Sequence, residues 1–187
     1  MLPDFPFTGR IRLNYLNYFG AALSPFDAYL VLLGLETLSE RVRKQVDNAE
    51  RIVRYLEQHE LVAWVKHPSA WNSPYRKLAD KYLPRGAGAI FTFGLKAAAE
   101  ETEAFIDATR VFSYHANVGD ARSLIINPPK TTHSELTPEE QARGDITAET
   151  VRLSIGLEDP DDLIEDLAQA FAAAFPAVAA VAEETAI

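Results

Sequence analysis

The sequence predicts an α/β (α+β) fold in which a mixed sheet carries helices on one face and a long helix precedes the sheet. Residues 24–58 carry apolar side chains at three- and four-residue spacing, which is typical of an amphipathic helix. Residues 90–95 and 151–155 instead alternate between apolar residues and polar or small ones, as strands with one buried face do. The order of a helix followed by β-α-β-α-β-β-β-α suits helices layered on a sheet.

The long helix has a clear start signal and changes character along its length. Ser24 is expected to cap it, Pro25 suits its first turn, and Asp27 completes a capping-box-like pattern. Residues 26–38 leave almost no polar face, whereas charges cover one side of the later residues. Gly34 marks either a bend or a close approach to another backbone.

The other predicted elements divide the chain into a lead-in, one domain and a tail. Residues 1–23, where prolines and glycines stand among scattered aromatics, are predicted to be irregular, residues 24–175 form the domain, and 176–187 form a tail without a clear anchor. The domain is predicted to contain a strand at 61–68, a short helix ending near 83, a helix at 97–109, short strands at 111–115 and 123–127, a polar segment at 137–150 and a helix from 159 to about 175.

Composition excludes several classes of function. The formal charge is −9, and the only Lys or Arg residues beyond Lys130 are Arg143 and Arg152, so a nucleic acid partner is not expected. The sequence shows neither a basic stretch leading into an apolar segment nor the ~20 apolar residues that span a bilayer, so no membrane partner is expected. With no cysteine there is no disulfide or thiolate zinc site, and a reducing compartment, the cytoplasm, is the expected location.

Arg152 is the first candidate for ligand binding. In the strand 151–155, alternation points Val151, Leu153 and Ile155 to one side, and Arg152 and Ser154 to the other. One interpretation is that Arg152 pairs with one of the nearby carboxylates. The other is an anion clamp, because a guanidinium matches a carboxylate bidentately and small neighbours leave room for a ligand. The residues alone do not separate the two.

A second candidate is the turn that contains Asn117, Gly119 and Asp120. Such turns expose backbone N–H groups and short polar side chains toward a ligand or toward solvent. On local sequence, a plain hairpin-like connection between the two short strands is favoured. No metal site is predicted, since the four histidines show no i, i+4 pairing, and His133 is assigned a structural hydrogen bond. Neither a G-x-S-x-G elbow nor a dinucleotide fingerprint is present. The residues also offer no evident catalytic nucleophile or base.

Five ordered segments resemble the carboxy-terminal part of the Cys/Met-metabolism enzymes that depend on pyridoxal 5′-phosphate (PLP). They are "ALSPFDAYLVLLGLETLSERV", "NAERIVRYLEQHELVAWVKHP", "KYLPRGAGAIFTFGL", "NVGDARSLIINPPKTTH" and "VRLSIGLEDPDDLIEDL". The resemblance extends from about residue 20 to residue 171. Within the family it is closest to the O-acetylhomoserine sulfhydrylase branch, because cystathionine synthases, cystathionine lyases and methionine γ-lyase usually show Ser at the position of Asn117.

The resemblance implies the small carboxy-terminal domain of a fold-type I PLP enzyme that exchanges the acetoxy group of O-acetylhomoserine for sulfide to make homocysteine. Arg152 matches the arginine of the "RLS-G-E" motif, which binds the substrate α-carboxylate. Asn117 and Val118 would border the same carboxylate, Val118 mainly through its backbone. In the complete enzyme residues 20–38 would pack against the large domain, so the isolated chain is expected to self-associate or to order this segment poorly.

The chain departs from the family pattern in two places. None of its six lysines has the Ser-x-Thr-Lys-like setting of the Schiff-base lysine, so the resemblance implies that PLP is bound by a domain missing here and that this fragment alone is inactive. Asn127 stands where many relatives have His. The expected partners are the missing PLP domain, an amino-acid substrate and other copies in a homo-oligomer. The alternatives are a non-catalytic module that binds an amino acid or pairs with another subunit, and the same domain of a cystathionine synthase, cystathionine lyase or methionine γ-lyase.

Overall fold

The computed structural model describes residues 6–176, so the predicted tail beyond Pro176 lies outside the described residues. Contacts along the chain form two compact units, the first ending at Ser39 and the second beginning at Glu40. Within residues 6–176, no helix combines the length and the apolar character needed to cross a bilayer.

The first unit is helical almost from the start of the described chain. It contains α1 (Pro6–Arg10), a π-helical segment (Ile11–Leu16), α2 (Asn17–Phe19) and α3 (Pro25–Glu36). The prediction of an irregular segment at 1–23 is therefore wrong over residues 6–19. Gly20 ends α2 in the left-handed region with φ 64°. This glycine is a helix boundary in a segment that was predicted to be irregular.

The long helix predicted at 24–58 is two helices. Its start is confirmed, since Ser24 Oγ accepts a 3.1 Å hydrogen bond from Asp27 N and donates one of 2.7 Å to Asp27 Oδ2. The interruption lies at Thr37, whose φ of −108° and ψ of 6° are not helical, and α4 runs from Leu38 to Gln58. The bend considered at Gly34 is therefore misplaced by three residues. β-Branched Thr37 tolerates a helix interior poorly, and it stands where the all-apolar segment gives way to the amphipathic one.

The second unit contains a five-stranded sheet with helices between the strands. Its elements after α4 are β1 (Val62–Lys66), α5 (Arg76–Tyr82), β2 (Ile90–Leu95), α6 (Ala99–Ala108), β3 (Ser113–Tyr114), β4 (Leu124–Ile126), a 3₁₀ turn (Pro128–Lys130), α7 (Pro138–Arg143), β5 (Thr150–Ser154) and α8 (Pro160–Ala174). The strand order is β1-β2-β5-β4-β3, so β5 is the middle strand. All pairs are antiparallel except β3 with β4.

One face of the sheet is covered by α4, α6 and α8, which confirms the predicted mixed sheet with helices on one face. The alternation seen in the sequence decides which residues face them. Phe91, Phe93 and Leu95 from β2 are buried, as are Val151 and Leu153 from β5. Each such side chain contributes about 1.5–3 kcal/mol when it leaves water, so this face is the core of the second unit.

The hairpin-like connection favoured between β3 and β4 is wrong. The two strands pair in parallel, with Ser113 opposite Leu124 and Tyr114 opposite Ile125. A hairpin turn reverses the chain direction, whereas residues 115–123 must return it to the same end of the sheet. The intervening segment is therefore a projecting loop. The polar segment 137–150 differs in a smaller way, because it includes α7, which Thr137 caps through a hydrogen bond from Glu140 N.

One histidine of the second unit is buried and a second is half-buried. His67 is buried, and its ring contacts Ser69 Oγ at 2.6 Å and Gly88 O at 3.3 Å. His59 stacks on Phe171 with 3.8 Å between ring centroids. Burial lowers the pKa of both rings, and for His67 the hydrogen bond to Gly88 and the carboxylates of two glutamates oppose this effect in part. Both rings therefore resist protonation in the folded chain.

We expect acid to destabilise the second unit through these rings. The unfolded chain takes up protons near the ordinary histidine pKa of about 6.5, whereas the folded chain does so only at lower pH. The stability that depends on the neutral rings should thus be fully present above about pH 6.5. It should be lost as the pH drops through the folded pKa. His67→Gln should reduce this dependence between pH 7.5 and 5.5 in urea titrations. Equal slopes for the wild type and His67→Gln would contradict this assignment.

Candidate functional site

Arg152 lies on the side of β5 that faces away from the helices. Its side chain is half-buried, whereas its neighbours Val151 and Leu153 are completely buried on the opposite, core face. Its cross-strand partners are Thr92 on β2 and Ile126 on β4, so it stands in the middle of the sheet. Partial burial lowers the pKa of Arg152, but a guanidinium remains charged at neutral pH. A permanent positive charge is therefore fixed on the centre of this face.

The guanidinium of Arg152 makes no hydrogen bond or ion pair with any of residues 6–176. Three of the acidic residues that follow it in the sequence have other partners. Glu158 accepts hydrogen bonds from Ser123, and Asp159 caps α8 by accepting one from Asp161 N. Asp161 forms an ion pair with Arg51. The salt-bridge interpretation of Arg152 is thus not realised in the described part of the chain, and the cation is available to an external anion.

The turn predicted as the second candidate is a compact structure held by its own side chains. Asn117 Oδ1 accepts a 2.8 Å hydrogen bond from Val118 N, and Asp120 Oδ1 accepts one of 3.0 Å from Arg122 N. That bond, and next the charge of Arg122, lower the pKa of Asp120. Gly119 has φ 74°, a conformation that side chains strain, so the turn needs a glycine at this position. The backbone N–H of Val118 is used within the turn.

Two contacts join this turn to the rest of the second unit. Gly119 N donates a 3.4 Å hydrogen bond to Ser154 Oγ on β5, and Gln45 on α4 donates one of 2.6 Å from Nε2 to Asp120 O. Ser154 and Arg152 are two residues apart on one strand, hence on the same side of it and about 7 Å apart. The structure thus brings the two candidate regions, the turn and the arginine, to one side of β5.

Sequence reasoning missed the polar residues that support this arrangement. Gln45, Asn48, Ser123 and Glu158 connect α4, the turn and the end of β5 through hydrogen bonds. Gln45 and Asn48 could have been found, because they occupy buried positions on the otherwise apolar stripe of α4. Glu158 could not be singled out, because several other acidic residues surround it in the sequence.

A profile of the family described as Cys/Met metabolism PLP-dependent enzyme matches residues 8–172 of the chain. The chain belongs to this family. It is 43% identical over 169 residues to O-acetyl-L-homoserine sulfhydrylase 1 of Thermus thermophilus, covering 90% of this chain and 40% of that protein. It is 42% identical to homocysteine synthase of Schizosaccharomyces pombe, covering 85% of this chain and 37% of that protein.

Two solved members of the family have the same fold in the matching region. A crystal structure of an O-acetylhomoserine (thiol)-lyase from Campylobacter jejuni, which contains N′-pyridoxyl-lysine-5′-monophosphate, superposes with TM-score 0.82 at 41% identity, over 89% of this chain and 40% of that one. Cystathionine γ-synthase from Xanthomonas oryzae, solved with aminoacrylate and cysteine, gives TM-score 0.77 at 36% identity, over 86% and 41%. The chain thus spans about two fifths of the length of these relatives.

The lysines of this chain do not fit the PLP that gives the family its description. A lysine that binds PLP covalently must lose its proton, which requires removal from water or a cationic neighbour. All six lysines are exposed. Lys66 Nζ lies 3.3 Å from Asp145 Oδ2, and Lys96 Nζ donates a hydrogen bond to the carbonyl of Glu60. None of the six is thus removed from water, so these residues offer no covalent site for the cofactor.

The remaining residues singled out in this family motif are structural. Asn127 is buried and donates from Nδ2 to Ala148 O at 3.1 Å and Thr150 O at 2.8 Å. It therefore fastens the 127–150 loop to the start of β5. His133 contacts Thr132 Oγ1 at 2.9 Å through Nδ1, which agrees with the structural hydrogen bond predicted for it.

Replacement of Gly119 tests whether the turn depends on its left-handed residue. Gly119→Ala should lower the free energy of unfolding by about 1–2 kcal/mol, because a side chain strains this conformation. Nothing lies within 4 Å of the position that a Cβ would occupy, so the cost comes from the backbone alone. Gly119→Asn is the matched control and should cost less, since Asn tolerates this region. Urea denaturation measures both; equal stability of Gly119→Ala and the wild type would show that the turn is not so constrained.

Proposed function

We propose that this chain is the carboxy-terminal, substrate-binding domain of a PLP-dependent O-acetylhomoserine sulfhydrylase, a transferase that replaces acetoxy by sulfide to give homocysteine. The observation that carries the proposal is the guanidinium of Arg152, which has no partner in the described part of the chain and lies on the polar side of the middle strand, beside the turn at 117–120. The two relatives with 43% and 42% identity, named for O-acetyl-L-homoserine sulfhydrylase and homocysteine synthase activity, support the choice of reaction.

In this proposal Arg152 binds the α-carboxylate of the amino-acid substrate. A guanidinium presents two parallel N–H donors to the two carboxylate oxygens, which fixes both the position and the orientation of the substrate. The position of Arg152 in the middle of a sheet holds its backbone rigidly, so little freedom is lost on binding. Catalysis gains from such fixed positioning of the reacting group.

Asn117 and Val118 border the same carboxylate in different ways. The Nδ2 group of Asn117 lies 3.5 Å from Asp120 Oδ2, a long contact that leaves the amide able to donate to a ligand. The N–H of Val118 is held by Asn117 Oδ1, so the backbone role first expected for it is replaced by its exposed side chain. We assign to Val118 the exclusion of water next to the bound carboxylate.

PLP would supply the electron sink that the exchange of acetoxy for sulfide needs, and the residues that hold it lie in a large domain outside this chain. The side chains of α3 fit a surface that such a domain covers. Its large apolar residues are exposed on all sides, among them Phe26, Leu30, Val31, Leu32 and Leu33, and none of its residues is buried. An exposed apolar surface of this kind marks an interaction site. The fragment alone is then inactive and self-associates, and homo-oligomerisation and the cytoplasmic location stay predictions.

A second candidate is the same domain of a cystathionine γ-synthase. The similarity to the Xanthomonas oryzae enzyme, at 36% identity, favours it. Arg152 would then have the same role, because both substrates carry an α-carboxylate. Assays of the complete enzyme with sulfide and with cysteine as the sulfur donor separate the two. A chain that binds an amino acid but gives no turnover with either donor in the presence of the large domain would support the non-catalytic module.

The role of Arg152 is tested in the complete enzyme formed with the PLP-binding domain. Arg152→Ala should reduce kcat/KM for the amino-acid substrate roughly 30- to 900-fold, because the carboxylate loses its charged partner. This factor corresponds to a loss of about 2–4 kcal/mol in transition-state stabilisation. The absorption of bound PLP should not change. Arg143→Ala removes an exposed arginine from α7 and is the control. Unchanged kinetics of Arg152→Ala would refute the proposal.

A further inference from the structure

A buried polar cluster links the loop after the 117–120 turn to the end of β5. Ser123 is fully buried, and its N donates a 2.7 Å hydrogen bond to Glu158 Oε1 while its Oγ donates one of 2.8 Å to Glu158 Oε2. The same Oγ accepts a 2.8 Å bond from Gly156 N. The serine is thus saturated by three contacts to one short segment, so its position relative to β5 is fixed.

The two segments that this cluster joins lie as close together as their backbones permit. A Cβ added to Gly156 would lie 2.5 Å from Ala121 O and from the backbone carbon of Arg122, distances that no side chain tolerates. Leu157 N donates a 2.8 Å hydrogen bond to Ala121 O across the same contact. Only glycine at position 156 allows this approach. The loop at 121–123 is therefore packed directly against the residues that follow the arginine strand.

Helix α4 holds both segments from the other side. Asn48 Nδ2 donates to Gly156 O at 3.1 Å and to Glu158 O at 2.8 Å. Gln45, one helical turn earlier, donates to Asp120 O at 2.6 Å. The turn and the end of β5 therefore share a rigid base, in which Ser123 and Glu158 form the direct connection.

We propose that Ser123 and Glu158 are positioning residues that fix the 117–120 turn beside Arg152 for capture of the substrate carboxylate. This inference rests on the proposed function. Through its hydrogen bonds to Ser123, Glu158 anchors the loop that carries the turn. When the cluster is broken, the turn gains freedom that substrate binding must remove.

The experiment compares variants of the complete enzyme. Ser123→Ala removes one oxygen atom and is the least disruptive change, and Glu158→Ala removes the whole acceptor. Both should raise KM for the amino-acid substrate about tenfold while kcat and the PLP absorption change little, as expected when substrate binding alone is weakened. Glu158→Gln keeps an acceptor for Ser123 N and should raise KM less than Glu158→Ala does.

Asp166 provides a matched structural control. It is buried, and its carboxylate accepts hydrogen bonds from the N–H groups of Arg110, Val111 and Phe112 at 2.8–3.1 Å, before β3 rather than in the turn. Asp166→Asn should lower the Tm without raising KM. A merely structural role for Ser123 and Glu158 predicts the same behaviour for their variants.

Arg152→Ala, measured in the same series, distinguishes a failure of the positioning role from a failure of the proposed function. If Arg152→Ala raises KM and Ser123→Ala behaves like Asp166→Asn, the positioning role is overturned and the proposed function stands. If Arg152→Ala changes nothing, the proposed function fails and the positioning role fails with it. A rise in KM for Arg152→Ala, Ser123→Ala and Glu158→Ala, with Asp166→Asn unchanged, supports both.

Discussion

A guanidinium that is held on the middle strand of a sheet and has no counter-ion among residues 6–176 is the constraint on which the second unit depends. A half-buried charge without a partner is unfavourable, so a free carboxylate within reach would pair with it. The guanidinium stays unpaired only when neighbouring carboxylates are bound by other residues. Two of the carboxylates that follow it in the sequence are held by other residues, Glu158 by Ser123 and Asp161 by Arg51. The helices on the opposite face fix the strand by burying Val151 and Leu153. The arrangement leaves one strong anion-binding group open to a ligand.

The distribution of polar groups in the core follows from the same constraint. Most of the stripe that α4 turns toward the sheet is apolar, yet Gln45 and Asn48 interrupt it and are buried. Buried amides are costly unless they are hydrogen-bonded, and both of these donate to backbone carbonyls of the turn or of the end of β5. The two amides fix the position of the 117–120 turn and of the residues that follow β5, which belong to no helix or strand. The apolar core and the support of the 117–120 turn thus share one helix.

The sequence was sufficient for the features that depend on periodicity. The faces of β2 and β5 follow from alternation, and the cap at Ser24 follows from local hydrogen bonding. Features that depend on distant contacts could not be predicted in this way. The parallel pairing of β3 with β4 is set by the sheet and not by the turn between them, and the partner of Glu158 lies 35 residues away. The break at Thr37 was missed because glycine, the usual marker, stands three residues earlier.

The chain spans about two fifths of the length of its relatives, and its lysines do not fit a cofactor site. The most direct test of the central claim is a crystal structure of the complete enzyme with a bound amino-acid substrate or product. We expect both α-carboxylate oxygens to lie about 2.8 Å from the guanidinium nitrogens of Arg152, with Asn117 alongside. A carboxylate bound elsewhere, with Arg152 paired to an acidic side chain, would contradict this account.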